Sequence, residues 1–314
     1  MRRLQTLAAT AWIVTFVCGG FFFSLMLLYA VFYTSYWWAV LLYVLWIFAD
    51  RDAPMRGGVR WGNGRVEWVR HWTWWSLYRD FFPLRLERLS ELPPDQNYLF
   101  ACYPHGVLCS GVFGHFCVHS PDFERLFPGI SATMHTLDQN FNQPVIRDLI
   151  CCLGMAGSSR QSLMNVLSTK GGGCASVLVV GGAAEALKSR PGTYNIILKP
   201  RKVFSFGETE LYDQLDNPEG SRLRCLQEKL RKIIGIAPVI FLGRGIFQYS
   251  FGMVPHRRPV TVLVGNPIDV PLIPCPTFDE VNELHAKYTS ALVQMFNEHK
   301  HRLLKNPNVE LKID

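Results

Sequence analysis

The first part of the chain is an unbroken apolar run. No charged side chain occurs from Leu4 to Ala49, a stretch of 46 residues. A helix crosses a bilayer with about 20 residues, so the run is too long for one span and suits two. A polar and aromatic turn at 33–36 separates two predicted arms, Thr10–Phe32 and Trp37–Phe48. The pattern predicts a membrane hairpin at residues 1–50, with a re-entrant second arm as the alternative.

Basic residues stand on both sides of this run, and they predict its orientation. Arg2 and Arg3 precede it, and Arg51 and Arg56 follow it. Positive charges are enriched on the cytosolic side of membrane segments, so both ends are predicted to be cytosolic. A cleavable signal peptide is disfavoured, because the run is about three times too long for its apolar region.

An aromatic and basic segment at 61–85 follows the predicted hairpin. Tryptophan and tyrosine rings alternate there with arginine. This composition is typical of a helix that lies at a membrane interface, and a helix of the protein core is the competing interpretation.

Beyond Pro94 the pattern changes to short apolar stretches broken by glycine and proline. Strands are predicted at 97–102, 175–180, 193–199, 237–242 and 260–264, and helices at 144–153, 160–168, 223–234 and 279–300. Strands that alternate with helices indicate an α/β fold. We therefore predict one cytosol-facing domain at 51–314 behind the hairpin.

Composition narrows the class of partner. The net charge is +7, but no nucleic-acid recognition motif accompanies it, so anionic lipid headgroups and phosphorylated acyl carriers fit better. The nine cysteines show no CxxC pair or metal-ligand spacing. Most of them are therefore predicted to be small buried residues in a reducing compartment.

The strongest local candidate for chemistry is Tyr103-Pro104-His105-Gly106, directly after a predicted strand. Proline fixes the backbone and glycine permits a sharp turn, so the imidazole is held just beyond the strand end. Histidine titrates near neutral pH, which suits a general base that takes a proton from an attacking hydroxyl. A structural histidine in a turn is the alternative.

The segment from Asn97 to Gly106 resembles a block of the diacylglycerol acyltransferase 2 family, which includes monoacylglycerol acyltransferases and wax synthases. Further segments resemble that family in the same order, at 127–130, 147–148, 179–185, 190–192, 206–208, 243–245, 264–268 and 292–300. The resemblance covers almost the whole chain, and 2–7 and 245–252 are most similar to the monoacylglycerol acyltransferases. It implies a mixed sheet flanked by helices, as in glycerolipid acyltransferases.

The resemblance also implies an activity: transfer of a fatty acyl group from acyl-CoA, as co-substrate, to monoacylglycerol or diacylglycerol. A long-chain alcohol or retinol is the alternative acceptor. His105 is implied as catalytic base near the membrane surface. The implied location is the endoplasmic reticulum membrane, with lipid droplets as a second location and a homo-oligomer as an allowed assembly.

Other residues are candidates for binding or positioning. Gly181 and Gly182 offer backbone N–H groups for a CoA phosphate or an oxyanion, with tight strand-to-helix packing as the alternative. Glu185 is a candidate to orient His105 or to line the site. The alternative is an exposed acid in the first turn of a helix, stabilised by the helix dipole. Arg201-Lys202 suits CoA phosphates, or is a solvated basic pair.

Several classes of chemistry find no support. Related glycerolipid acyltransferases carry an aspartate four residues after the histidine, where this chain has Cys109. His115 and His119 have the spacing of helical metal ligands, but the sequence shows no third ligand or carboxylate for them, so no metal or other cofactor is predicted. No GxSxG occurs, which disfavours a serine hydrolase.

One departure from the family pattern concerns Lys202. In the family, the Arg-Lys pair is followed by a helix and a strand before the Phe-Gly-Glu block, whereas here only Val203-Phe204-Ser205 precedes Phe206-Gly207-Glu208. Loss of a central strand is expected to leave a hole in the sheet with unpaired backbone groups. The second hypothesis is therefore a catalytically impaired isoform or paralogue that acts as a membrane or lipid-droplet interaction protein.

Overall fold

The computed structural model describes residues 1–56, 67–182, 185, 193–196, 203–214, 220–234, 241–245 and 251–313. Its α-helices are α1 (Arg2–Tyr33), α2 (Trp37–Ala49), α3 (Glu67–Arg70), α4 (Thr73–Phe81), α5 (Ser110–Val112), α6 (Pro121–Leu126), α7 (Ile146–Cys152), α8 (Arg160–Leu167), α9 (Arg222–Ile234) and α10 (Phe278–Leu303). A π-helical turn, Phe113–Cys117, continues α5, and 3₁₀ turns lie at Ala53–Arg56, Asp138–Asn142 and Glu208–Glu210.

The strands are β1 (Arg85–Arg88), β2 (Tyr98–Tyr103), β3 (Ser131–Thr136), β4 (Ala156–Gly157), β5 (Cys174–Val179), β6 (Tyr194–Ile196), β7 (Val203–Phe206), β8 (Asp213–Gln214), β9 (Phe241–Leu242), β10 (Thr261–Val264) and β11 (Leu311–Ile313). Seven of them form one mixed sheet in the order β1-β10-β7-β2-β5-β3-β4. Only the β10–β7 pair in this sheet is antiparallel.

Both faces of this sheet are covered by apolar side chains, so the prediction of a mixed α/β fold is confirmed. Strand β2 shows the arrangement most clearly. Phe100 and Cys102 face a core shared with α1, α4 and the π-helical turn, whereas Ala101 and Tyr103 face a second core that includes side chains of α10. This alternation follows from the two-residue period of a strand.

The N-terminal segment forms the two predicted apolar helices, but α1 begins at Arg2 rather than at the predicted Thr10. Among the described helices, α1 is long and apolar enough to cross a membrane, while α2 is a shorter apolar helix. The N-terminal half of α1 contributes buried residues to the domain, including Trp12 and Ile13. A transmembrane crossing by both arms stays a prediction.

The aromatic segment after the hairpin divides its side chains between core and surface. Of 61–85, residues 61–66 lie outside the described part, and α3 and α4 follow as two separate helices. Trp75 and Tyr78 are buried, whereas the Trp68 side chain is 72 % exposed. The core interpretation therefore holds for α4, and contact with a membrane interface stays a prediction for the exposed rings.

In the part of the chain that the structure describes, the sheet has no break between β2 and β10, so the expected hole is not found there. Strand β7 stands between them and pairs with β10 over its four residues, Val203 to Phe206. Cys102 and Tyr103 of β2 lie opposite Val203 and Phe204, and the residues that precede β7 lie outside the described part. The remaining predicted elements agree in place. Residues 197–199 and 237–240 of two predicted strands lie outside the described residues. The described parts of these two strands do not join the main sheet, because β6 pairs with β11 and β9 pairs with β8.

Candidate active site

The loop after β2 carries the candidate base. A cis peptide bond joins Tyr103 to Pro104, both buried, and His105 follows. Gly106 then adopts a φ of +57°, a conformation that other residues rarely adopt. A Cβ atom at Gly106 would also lie 2.7 Å from Cγ of Glu208, so this position requires glycine for its conformation and for its space.

The imidazole of His105 is partly buried at the end of β2. Its Nδ1 lies 3.2 Å from the carbonyl oxygen of Gly106. A carbonyl can only accept a hydrogen bond, so this contact places the ring proton on Nδ1 and the lone pair on Nε2. Desolvation lowers the pKa of His105 below its usual 6.5. The ring is therefore neutral at pH 7 and able to take a proton at Nε2.

Glu185 contacts the backbone of His105. Its Oε1 accepts a hydrogen bond of 2.5 Å from the His105 N–H, and the side chain is buried. The sequence suggested an orienting role for this residue, and the contact made in the structure is with the peptide group of His105. Gly181 makes room for it, because a Cβ atom there would lie 2.0 Å from Oε2 of Glu185.

Glu208 holds the other side of the same loop, and the sequence analysis assigned it no role. Its Oε1 accepts from the Ser110 N–H at 2.5 Å, and its Oε2 accepts from the Gly111 N–H at 2.9 Å. Burial raises the pKa of Glu208 to about 7, while the two amides oppose that rise. The signal in the sequence that could have indicated Glu208 is its position directly after Gly207, at the end of a buried strand. In the structure Gly207 has a φ of +90°.

The order of the strands explains why the two acids meet this loop. Strand β2 runs parallel to β5 on one side and to β7 on the other. The carboxyl ends of parallel strands lie at the same edge of a sheet, so the segments after β5 and β7 flank the segment after β2. Glu185 comes from the first and Glu208 from the second.

The two cysteines nearest to His105 are buried. Cys102 lies on β2, and Cys109 donates through its Sγ to the carbonyl oxygen of His105 at 3.1 Å. Burial raises the pKa of both thiols. Neither is therefore a thiolate at neutral pH, and the Cys109 thiol has a structural contact within the loop.

The long apolar helix α1 packs directly on the segment after the His105 loop. The Trp12 ring stacks on Phe113 with a centroid distance of 4.5 Å and an interplanar angle of 18°. Trp12 also meets Trp75 of α4 edge to face, at 5.3 Å. The candidate base and the predicted membrane helix therefore belong to one packed unit.

The structure describes some of the other candidate binding residues and not others. Gly182 has a φ of +52° and nothing within 4 Å of the position of a Cβ atom. Arg201 and Lys202 lie outside the described residues. His115 is buried with its Nδ1 3.1 Å from the Ser120 hydroxyl, and its ring faces that hydroxyl rather than His119.

Comparisons with known proteins agree on one family. The family model described as diacylglycerol acyltransferase matches residues 29–314. The chain is 41 % identical to 2-acylglycerol O-acyltransferase 1 of Bos taurus, over 95 % of this chain and 92 % of the relative. It is 40 % identical to diacylglycerol O-acyltransferase 2 of Danio rerio, over 100 % of this chain and 90 % of the relative. No solved structure matches the chain.

Proposed function

Since the chain belongs to the diacylglycerol acyltransferase family, a family of O-acyltransferases, we propose that it transfers a fatty acyl group from acyl-CoA to an acylglycerol hydroxyl. The proposed acceptor is monoacylglycerol or diacylglycerol, after the names of its relatives, and the proposed base is His105. The observation that carries the assignment of the base is the neutral imidazole at the end of β2, with Nε2 available and its loop held by Glu185 and Glu208.

The proposed reaction takes place in one bound complex of the two substrates. Nε2 of His105 removes the proton of the acceptor hydroxyl as the oxygen attacks the thioester carbonyl carbon. The tetrahedral intermediate then expels the CoA thiolate, which receives the proton from His105. The products are the acylglycerol with one more ester and free CoA.

Direct transfer is favoured over an acyl-enzyme intermediate. A cysteine nucleophile must ionise, and burial raises the pKa of both Cys102 and Cys109. The Cys109 thiol is also engaged with the carbonyl of His105. We propose no metal in the transfer step, because a neutral imidazole supplies the required base.

Stabilisation of the developing oxyanion is proposed for the segment after β5. Gly182 has the open space and the positive φ of a backbone turn that can present N–H groups to an anion. The Glu185 side chain occupies the space where a Cβ atom of residue 181 would lie, so the glycine at this position is required for packing. Arg201 and Lys202 stay proposed partners of the CoA phosphates.

The proposed setting is the endoplasmic reticulum membrane, with both ends of the chain in the cytosol and the domain at 51–314 behind a hairpin at 1–50. The packing of Trp12 on Phe113 supports it, because it brings a helix long enough to cross a membrane against the segment that follows His105. A lipid acceptor would then reach the site laterally from the bilayer. We propose lipid droplets as a second location and a long-chain alcohol or retinol as alternative acceptors. The proposal also allows a homo-oligomer.

A second candidate function is a catalytically impaired membrane or lipid-droplet interaction protein. One observation favours it, a difference in length from a relative. The alignment with the Danio rerio relative spans 329 positions against 314 residues here, so the relative has positions that this chain lacks. The intact contacts of the His105 loop favour the enzyme.

The test is acyl transfer in microsomes that express the chain. Labelled oleoyl-CoA is supplied with monoacylglycerol, diacylglycerol or a long-chain alcohol, and the wild type is compared with His105→Ala at equal protein amount. His301→Ala, an exposed histidine in the last turn of α10, is the matched control. We expect product from the wild type and from His301→Ala, and none above background from His105→Ala. No product from inserted wild-type protein would favour the second candidate, and full activity of His105→Ala would remove His105 as the base.

A further inference from the structure

Two histidines far apart in the sequence are stacked on the surface of the domain. The ring centroids of His71 and His119 are 4.0 Å apart, with an interplanar angle of 24°. Backbone contacts fix this arrangement, because the His119 N–H donates to the Arg70 carbonyl at 3.1 Å and Arg70 Nε donates to the Cys117 carbonyl at 2.9 Å. The pair therefore joins the end of α3 to the segment before α6.

Both rings use Nδ1 for a contact with an acceptor. Nδ1 of His71 lies 2.7 Å from the carbonyl oxygen of Glu67, and Nδ1 of His119 lies 2.9 Å from Oε1 of Glu124. The Glu67 carbonyl can only accept, so His71 carries its proton on Nδ1 and its lone pair on Nε2, as metal-binding histidines held by a carbonyl do. Nδ1 of His119 and the Glu124 carboxylate face each other, so a cation between them would replace the proton that they share, with the ring proton of His119 then on Nε2.

A carboxylate completes a set of three ligands. His71, His119 and Glu124 each offer one ligand atom, and these three atoms lie within 4.8 Å of one another. Ligand atoms around a tetrahedral zinc ion are about 3.4 Å apart, given bonds of about 2.1 Å. His71 and Glu124 are exposed, so their side chains can rotate to close that difference. Two imidazoles and a carboxylate suit zinc, with water as the fourth ligand.

We propose that His71, His119 and Glu124 form a surface site for Zn²⁺, separate from the acyl-transfer chemistry. The sequence offered only the spacing of His115 and His119, and no third ligand for them. The fold replaces His115, which is buried against Ser120, by His71 and adds Glu124. The role of the bound ion is to tie α3 to the segment before α6 and so to fix the exposed Trp68 and Trp72 rings, which flank His71.

The experiment measures zinc binding by the full chain, purified in detergent and stripped with a chelator. Zn²⁺ is titrated in competition with a chromophoric chelator, and Co²⁺ is titrated separately for its visible spectrum. We expect one ion per chain, a tetrahedral Co²⁺ spectrum, and at least about tenfold weaker binding in His71→Ala and His119→Ala. Zn²⁺ should raise the midpoint of thermal unfolding of the wild type above its metal-free value, and should leave the midpoint of each variant at that variant's own metal-free value.

Two controls separate this site from nonspecific binding and from catalysis. His256 pairs with Asp213 at 3.0 Å without a second described imidazole beside it, so His256→Ala should bind zinc as the wild type does. His105→Ala should also bind normally, because the site does not depend on the proposed acyl transfer. The proposal is overturned if the wild type binds zinc no more tightly than the His71→Ala/His119→Ala double variant, or if His256→Ala weakens binding equally.

Discussion

At the scale of single residues, two buried carboxylates hold the backbone of the loop that carries His105. Glu185 accepts from the peptide N–H of His105, and Glu208 accepts from those of Ser110 and Gly111. The imidazole of His105 contacts the carbonyl oxygen of Gly106. Desolvation lowers the pKa of this proposed base, and in the described part of the chain no carboxylate bonds to its ring to oppose that shift.

The pH profile of acyl transfer follows from this environment. Desolvation lowers the pKa of His105 below 6.5, so the midpoint of its protonation lies below pH 6.5. The rate should therefore fall at acidic pH with an inflection below pH 6.5. Initial rates with saturating oleoyl-CoA, measured from pH 5 to 8.5, check this. An inflection clearly above pH 6.5 that is also present in Glu208→Gln would contradict it.

Glu208 should make stability depend on pH. Its pKa is about 7 in the folded state and near 4.5 in the unfolded chain, so the folded state binds more protons between these values. Stability therefore falls as the pH rises through this window, by about 3 kcal/mol for one such carboxyl. Glu208→Gln should remove this fall, although the amide cannot accept from both backbone N–H groups and should lower overall stability by about 1–3 kcal/mol.

The measurement is the midpoint of thermal unfolding in detergent from pH 5 to 8. Glu210→Gln is the matched control, because Glu210 belongs to the same 3₁₀ turn and is less buried than Glu208. The difference between wild type and Glu208→Gln should shrink steadily as the pH rises. Parallel curves for the two proteins would show that Glu208 does not titrate in this range.

At the scale of elements, α1 is a packing element as well as an apolar helix. Its first half buries Ala8, Ala9, Trp12 and Ile13 against the domain, whereas side chains from position 21 onward are mostly exposed. Gly19 permits close approach to the start of α7, since a Cβ atom there would lie 2.7 Å from Cδ1 of Ile146. The helix therefore has one section that contacts the domain and one that is available to lipid.

Substitution of two aromatic residues on α1 should show this division. Trp12→Ala removes a ring that packs on Phe113 and Trp75, so it should destabilise the domain by about 3–5 kcal/mol. Phe21→Ala, at a side chain that is 66 % exposed, is the matched control and should cost little. Thermal unfolding midpoints in one detergent compare the two. Equal effects would mean that α1 does not pack on the domain as described.

Helix α2 is attached to the domain by polar side chains. Arg147 and Asp50 form a buried ion pair at 2.9 Å, and the Tyr43 hydroxyl donates to Asp148. The same hydroxyl accepts from the N–H of Val145 at 2.7 Å. Val145 has a φ of +65°, a strained conformation for a β-branched residue. The contact with α2 therefore supports a backbone turn that is unfavourable by itself.

Removal of one hydroxyl should weaken this attachment. Tyr43→Phe deletes both hydrogen bonds and leaves the Val145 N–H without this acceptor, so we expect a loss of about 1–3 kcal/mol in the free energy of unfolding. Tyr29→Phe, at a residue of α1 that is 60 % exposed, should have almost no effect. Thermal unfolding midpoints of the two variants provide the measurement. A Tyr43→Phe protein as stable as Tyr29→Phe would exclude a stabilising role for this contact.

At the scale of the whole molecule, the sheet is continuous from β2 through β7 to β10 in the described part of the chain. Strand β7 begins at Val203, where the described residues resume. The alignment with a relative is longer than this chain. The resemblance of the sequence to its family predicts that the additional residues follow Lys202, directly before β7.

Insertion of the corresponding segment of a relative between Lys202 and Val203 tests the consequence. A longer strand beside β2 adds ladder hydrogen bonds, so we expect higher yield and higher acyl-transfer activity in microsomes. The comparison is activity per inserted protein, with a Gly/Ser insertion of equal length as the control. If the restored chain and the original behave identically, the missing residues have no bearing on folding or activity.

The sequence by itself determined the features that depend on local chemistry. The apolar run predicted the end of α1 and both ends of α2 closely, whereas α1 begins at Arg2 and not at the predicted Thr10. The apolar stretch before Pro104 predicted β2, because periodicity and proline and glycine constraints act over a few residues. The family followed from ordered motifs, which are also local. The sequence did not reveal the role of Glu208, and it gave no reason to place His71 beside His119.

Only the tertiary structure decided these contacts. Glu185 is 80 residues from His105 in the chain, and Glu208 is 98 residues from Ser110. They meet because β5 and β7 lie on either side of β2 in parallel, and strand order is set by packing of whole elements rather than by any local pattern. The strand and the turn that hold His105 are thus encoded locally, whereas the groups that fix its loop are supplied by the order of the sheet.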